Sequence, residues 1–165
     1  MNLPFGNSKK VILILLLMIS AFCVPFFVKS CRGADLDMMV GSTVIRGETG
    51  VIGMNYVMPR AIGHFADIEL GAYLIGASNW GGDHNRNQAV VHAQVVSHLW
   101  KLLLGIGVAH MQHSDAYNSG SINFSLSLQY PVYKQFYIRY QHFSNSGTGS
   151  PNYGRDMVLM TYRFK

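Results

Sequence analysis

Apolar and polar residues alternate over much of the chain, which is the pattern of β-strands with one apolar face. The alternation is clearest over residues 122–130, where one face is wholly apolar and the other wholly polar: Ile122, Phe124, Leu126, Leu128 and Tyr130 against Asn123, Ser125, Ser127 and Gln129. The whole pattern predicts eight strands, over residues 36–46, 51–58, 64–76, 88–100, 102–112, 120–130, 135–144 and 155–164. Most are close to the length, about 9 to 11 residues, with which a tilted strand crosses a bilayer.

The connections between these strands alternate between short and long. The short ones are residues 59–63, 101 and 131–134, and the long ones, rich in Gly, Asn, Asp and Ser, are 78–87, 114–119 and 145–154. If the amino terminus stays in the periplasm, the short turns face inside and the long loops face outside, as in outer-membrane barrels. The first hairpin, 47–50, is an exception in being short, and Lys165 follows the typical aromatic ending Tyr162-Arg163-Phe164.

Charged and polar residues at mid-strand positions favour a membrane barrel over a soluble one. They are Asp67, Glu69, Gln94, Arg139 and Arg163, a costly set for a dry core. We expect them to line a lumen, with the two arginines offsetting the two acids. The alternative is a soluble β-sandwich or lipocalin-like barrel, in which the apolar face turns inward. The predicted fold class is therefore all-β, an eight-stranded antiparallel transmembrane β-barrel.

The first part of the chain has the order of a secretory signal. Lys9 and Lys10 precede an apolar run over residues 11–28, and small residues near positions 30 to 34 offer a cleavage site. We predict a signal peptide over residues 1–34, cleaved between about 30 and 34, and a barrel over residues 35–165. The alternative is a retained anchor, because about 18 apolar residues can just span a bilayer.

Charge and composition remove several other function classes. The net charge is +5, but four of the 13 basic residues lie before position 35, and the 9 that remain nearly balance 8 acidic ones. Nothing therefore indicates a nucleic-acid partner. Cys23 and Cys31 also lie in the predicted signal, so the barrel would hold no disulfide. The histidines form no compact ligand set, so we expect no metal and no other cofactor: His92, His98, His110 and His113.

Three residues near the last hairpin could perform nucleophilic chemistry. His142 and Ser144 share a strand face, with α-carbons about 7 Å apart, so a hydrogen bond is feasible. Asp156 lies on the apolar, lipid-facing side of the next strand. A serine nucleophile, a histidine base and an acid that fixes the histidine tautomer form a hydrolytic triad. A His-x-Ser pair at a strand end is also a common structural arrangement, so spacing alone leaves both interpretations open.

A longer motif resembles a known family. Residues His142-Phe143-Ser144-Asn145-Ser146-Gly147, then Pro151-Asn152-Tyr153-Gly154 and Asp156, resemble the active-site hairpin of the PagL-type lipid A 3-O-deacylases, over roughly residues 139–164. That family is an eight-stranded outer-membrane barrel. The resemblance implies that Ser144 is the nucleophile, His142 the base and Asp156 the acid. The family acid is usually glutamate, so unless the backbone moves closer Asp156 would fall short by roughly 1.5 Å, and we expect reduced rather than absent activity.

The same resemblance implies a reaction, a substrate and a location. The reaction is hydrolysis of the ester at the 3 position of lipid A, releasing a 3-hydroxy fatty acid, in the outer membrane of a Gram-negative bacterium. The partners are lipopolysaccharide and other outer-membrane lipids, with the site facing the outer leaflet. Asn145 is our candidate oxyanion donor, through its side chain or backbone N–H, and Gly147 would permit the tight backbone this requires. Both are equally well explained as turn residues.

Two other functions remain open at this point. The chain could be a non-enzymatic small barrel with an adhesive or structural role, or an outer-membrane esterase of another class, such as a phospholipase. Two barrels could also pair as a homodimer.

Overall fold

The computed structural model describes residues 33–45, 47–63, 65–80, 83–115, 117–118, 120–145 and 153–165. The predicted signal peptide, residues 1–34, lies almost entirely outside the described residues, so the signal and its cleavage site stay predictions. Among the residues that the structure describes, no helix is long and apolar enough to cross a membrane.

The described residues form ten strands. They are β1 (Asp35–Val44), β2 (Gly50–Ile62), β3 (Ala66–Ile75), β4 (Ser78–Trp80), β5 (Asp83–Asn85), β6 (Gln88–Leu99), β7 (Leu102–Met111), β8 (Ile122–Tyr133), β9 (Phe136–Ser144) and β10 (Arg155–Phe164). Eight of them close into an antiparallel barrel in the order β1-β10-β9-β8-β7-β6-β3-β2. The predicted eight-stranded barrel is confirmed. The prediction of residues 78–87 as a plain loop was wrong, because β4 and β5 pair there as a small separate hairpin.

Two strands run past the prolines at which we expected them to end. β2 continues beyond Pro59 to Ile62, and β8 continues beyond Pro131 to Tyr133. The pairing register shifts between Met58 and Ile62 in β2, and between Pro131 and Tyr133 in β8. A bulge tolerates a residue that cannot donate a ladder hydrogen bond, so the strand resumes beyond it. These two connections are therefore shorter than predicted.

The two ends of the barrel differ in their connections. At one end, called here the short-turn end, the connections between barrel strands are residues 63–65, 100–101 and 134–135. At the other, the long-loop end, they are residues 45–49, 76–87, 112–121 and 145–154. Trp100 and Lys134 adopt positive φ angles of 54° and 47° at the start of two-residue turns. That geometry matches the twist of paired strands.

The apolar face of the sheet turns outward. In β8, Ile122 is 72% exposed and Leu126 42%, whereas Ser125 and Gln129 on the other face are buried. This is the reverse of a soluble protein, whose apolar face packs inward. The soluble sandwich or lipocalin-like alternative is therefore wrong. Aromatic rings gather on the outside at the short-turn end, where Phe136, Tyr162 and Phe164 pack edge to face, as in the aromatic girdles of membrane barrels.

The polar face lines the lumen, as expected, but its ion pairs differ from the predicted ones. Arg139 donates two parallel hydrogen bonds to Glu69, at 2.8 and 2.6 Å. Arg163 pairs with Asp37 at 2.7 Å rather than with Asp67. The register explains this, because Asp37 and Arg163 are direct partners across β1 and β10. Asp67 instead contacts His98 at 2.8 Å.

An apolar cluster fills the lumen toward the long-loop end. Phe143 is completely buried there, and its ring meets that of Tyr73 edge to face, with centroids 5.6 Å apart. Such pairs add stability beyond the area they bury. Because Phe143 lies between His142 and Ser144 in β9, this cluster anchors the backbone that carries both.

Candidate active site

Strand β9 presents two sets of side chains. Arg139, Gln141 and Phe143 are completely buried in the lumen, whereas Tyr140, His142 and Ser144 alternate with them and are half-buried on the outer side. The predicted sharing of one face by His142 and Ser144 follows from this alternation.

His142 and Asp156 are direct partners across β9 and β10, and their side chains meet. His142 Nδ1 lies 2.8 Å from Asp156 Oδ1. A carboxylate can only accept, so Nδ1 donates, and in the neutral imidazole Nε2 is then the acceptor nitrogen. The two side chains are 25% and 14% exposed, so the pair is accessible without being fully solvated. This arrangement prepares an imidazole to take up a proton through Nε2.

The expected gap between the Asp156 carboxylate and the His142 imidazole is absent from the structure. Directly opposed residues in an antiparallel pair have Cβ atoms only about 5 Å apart. At that separation an aspartate reaches the imidazole, and the contact of 2.8 Å has ordinary hydrogen-bond length. The missing methylene therefore leaves no gap between Asp156 and His142.

Ser144 is the last residue of β9, two positions beyond His142 on the same outer face. Its partner across the sheet is Phe124 of β8, and its side chain is half-buried. The structure thus places His142, Ser144 and Asp156 on one stretch of outer wall at the long-loop end, with His142 and Asp156 in contact.

The two oxyanion candidates differ in what can be said of them. Asn145 follows Ser144, and the residue as a whole is buried, only 1% exposed. Both donors considered for it, the side chain and the backbone N–H, therefore stay predictions. Gly147 lies outside the described residues, and its role stays a prediction.

Tyr140 is part of the site although the sequence analysis did not single it out. Its hydroxyl donates a hydrogen bond to Asp156 Oδ1, the oxygen that also accepts from His142. In the sequence, an aromatic residue on the outer face of a strand resembles any interfacial aromatic. The one signal in the sequence is that Tyr140 lies on the same strand face as His142.

Gly154 makes room for the imidazole. Its φ angle is +69°, in the left-handed region, and a Cβ built there would clash with His142 Cε1 and lie 3.0 Å from Nε2. Glycine is thus required both by the backbone and by the ring beside it. Gly154 belongs to the motif that resembles the family, but nothing in the sequence indicates that Gly154 lies against His142.

A second cluster ties a neighbouring loop to the start of β10. Asp115 contacts Arg155 at 2.5 Å, and the ring of Tyr117 lies 4.4 Å from the Arg155 guanidinium. The string His113-Ser114-Asp115 resembles plain loop surface in the sequence, and His113 and Ser114 are indeed exposed. Asp115 instead holds the residue next to Asp156, which stiffens this end of the site.

The wall around the site is apolar. Leu126 and Leu128 of β8, with Val158 and Met160 of β10, are each 39 to 57% exposed on the outside. Acyl chains can therefore lie against both strands that flank the histidine. Within the part of the chain that the structure describes, no group of three or more His, Cys, Asp or Glu residues could hold a metal ion.

The family model described as lipid A 3-O-deacylase (PagL) matches residues 67–165, from β3 to the end of β10. The chain belongs to this family. The predicted resemblance to the PagL-type deacylases is thereby confirmed, and the match extends well beyond the hairpin motif on which it rested. No individually curated protein matches the chain.

A solved structure of this family has the same fold. The crystal structure of the outer membrane enzyme PagL is 16% identical, with a TM-score of 0.57, over 79% of this chain and 99% of that one. The Yersinia pestis outer membrane protein Ail, in a phospholipid bilayer nanodisc, is 13% identical with a TM-score of 0.48, over 80% of this chain and 100% of that one. The PagL-like barrel indicates an outer-membrane protein.

Proposed function

We propose that this chain is a lipid A 3-O-deacylase, a serine esterase that hydrolyses the ester at the 3 position of lipid A and releases a 3-hydroxy fatty acid. The observation that carries the proposal is the contact of 2.8 Å between His142 and Asp156 on an apolar outer wall, with Ser144 on the same face. A hydrolytic site that opens sideways toward lipid suits a substrate embedded in a membrane.

In the proposed reaction, Ser144 Oγ attacks the acyl carbonyl carbon while His142 Nε2 takes the serine proton. The backbone N–H of Asn145, in a turn permitted by Gly147, donates to the oxyanion. Collapse of the tetrahedral intermediate breaks the bond to the sugar oxygen, which receives the proton from His142. A water molecule then hydrolyses the acyl-enzyme with His142 again as base. Asp156 holds the imidazole throughout, and none of these steps calls for a metal or a cofactor.

The proposal includes an orientation. Outer-membrane barrels have short periplasmic turns and longer external loops, and His142, Ser144 and Asp156 all lie toward the long-loop end. With that end outside, the site faces the outer leaflet, where lipopolysaccharide is the substrate. Export would use residues 1–34 as the signal peptide, removed between about 30 and 34.

The decisive experiment expresses the full chain in a Gram-negative host that lacks lipid A deacylases and analyses lipid A by mass spectrometry. We expect the wild-type chain to remove one 3-hydroxyacyl group and Ser144→Ala to remove none. A matched control is Ser97→Ala, because Ser97 is an exposed serine on β6, away from β9 and β10, and should retain activity.

Three results would contradict the proposal in different ways. Unchanged deacylation by Ser144→Ala, at equal barrel levels, would refute the assignment of the nucleophile. Fatty acid released from phospholipids instead of lipid A would indicate a phospholipase. A folded wild-type barrel that alters no lipid would favour an adhesive or structural role.

A further inference from the structure

Asp156 carries a charge in an unfavourable place. It lies on the lipid-facing side of β10, between the exposed apolar wall and the end of β9, and its side chain is only 14% exposed. A carboxylate removed from water needs hydrogen-bond donors to remain ionised and fixed in place. A single bond from His142 leaves the short side chain free to rotate about its own bonds.

Tyr140 supplies a second donor. It lies two residues before His142 on the same outer face, opposite Val158 of β10. Its hydroxyl donates a hydrogen bond to Asp156 Oδ1, on the residue directly opposite His142. A carboxylate oxygen has two acceptor positions, so the same oxygen accepts from the tyrosine hydroxyl and from His142 Nδ1. The oxygen that faces the imidazole is thereby held from two directions.

We propose that Tyr140 is a positioning residue, which holds the Asp156 carboxylate toward His142 and thereby fixes the orientation of the imidazole. The inference deepens the proposed function and rests on it. In this proposal Tyr140 takes no direct part in the reaction. It acts only through Asp156, which explains how an acid shorter than the family's usual glutamate keeps its place.

The competing interpretation is that Tyr140 serves only the stability of the barrel as one more aromatic residue on its outer wall. A double-mutant cycle separates the two, because a residue that acts through Asp156 loses its effect once Asp156 is gone. Tyr162 is a matched control. It is also on the outer face, on β10, and its hydroxyl donates to Gln135 at 3.0 Å, at the opposite end of the barrel.

The experiment measures kcat and KM for lipid A deacylation by the purified full chain in mixed micelles. The variants are Tyr140→Phe, Asp156→Ala, the double variant and Tyr162→Phe. We expect Tyr140→Phe to lower kcat by about 10- to 100-fold, as for loss of a hydrogen bond to a charged group, with KM within about twofold. In the Asp156→Ala background it should cost nothing further, and Tyr162→Phe should be close to wild type. Equal losses in both backgrounds, or an unchanged kcat for Tyr140→Phe, would overturn the inference.

A second measurement is independent of turnover. The 15N resonances of the imidazole, identified by their disappearance in His142→Gln, report which nitrogen carries the proton. We expect one Nδ1–H tautomer in the wild type and a mixture in Tyr140→Phe, with no change in Tyr162→Phe. If the wild type deacylates nothing, the proposed function fails and this tautomer shift alone decides the role of Tyr140. If the wild type is active and Tyr140→Phe changes neither tautomer nor kcat, the positioning role fails and the function stands.

Discussion

Strand β9 contributes to two pairs of side chains that each contain a carboxylate, one pair on each face of the strand. On its inner face, Arg139 meets Glu69 through two parallel hydrogen bonds, and solvent reaches almost none of either side chain. On its outer face, His142 meets Asp156 through one bond, and both side chains remain partly exposed.

The comparison shows how burial distinguishes polar residues that stabilise the fold from polar residues that can react with a ligand. Gln141 and Gln94 surround the inner pair, so each charge has several partners and no atom is offered to a ligand. The outer pair uses one imidazole nitrogen for the acid and leaves Nε2 for the proposed reaction. A reactive group must keep a hydrogen-bond donor or acceptor available for the substrate. A group whose hydrogen-bonding positions are all occupied cannot take part in the reaction.

Breaking the inner pair should give the largest effect on stability. Arg139→Met leaves Glu69 charged and buried without its partner, which costs about 3–5 kcal/mol. Urea unfolding in lipid vesicles measures this loss. The double variant Arg139→Met with Glu69→Met should recover much of it, whereas His142→Ala should change the free energy of unfolding by less than about 1 kcal/mol. An Arg139→Met barrel as stable as the wild type would contradict the structural role of the inner pair.

A substitution beside the outer pair, at neither His142 nor Asp156, should have an intermediate effect, here on the rate of deacylation. In Gly154→Ala the added methyl group displaces the His142 ring, and a displacement of about 1 Å in a catalytic group costs on the order of 100-fold in rate. We expect deacylation to fall by about 10- to 100-fold. Gly50→Ala is the control, because a Cβ there meets nothing within 4 Å. Equal activity in the two variants would show that the ring does not depend on Gly154.

Replacing Asp156 by the longer glutamate should have the smallest effect, measured as kcat. Because Asp156 already contacts His142 at 2.8 Å, Asp156→Glu gains no hydrogen bond, and the acid is often the member of a triad whose change costs least. We expect kcat within about threefold of the wild type. A gain of about tenfold or more would instead support the shortfall expected from the sequence.

Much of this molecule could be predicted because alternation in a strand is strict. Each strand has only two faces, so the parity of residues such as His142 and Asp156 determines the wall on which they lie. The eight barrel strands and the common outer face of the three candidate residues follow from that rule. The family motif then indicates which polar residues on that face to consider.

The remainder depends on register and rotamers, which parity does not determine. The partner of Arg163 is Asp37 because β1 closes the barrel against β10, a pairing between distant parts of the chain. Tyr140 and Gly154 join the site through the directions of single side chains and one left-handed residue. β4 and β5 form within a connection whose Gly and Asn content is typical of loops.

The filled bore has a consequence for how water enters the chemistry. Solvent does not reach Arg139 in the lumen, so we expect no open path for water through the barrel. The water that completes the proposed hydrolysis would then arrive from the aqueous phase above the long-loop end, along the rim of the wall. With the proposed activity, the protein would modify the surrounding lipids and leave the permeability barrier that they form intact.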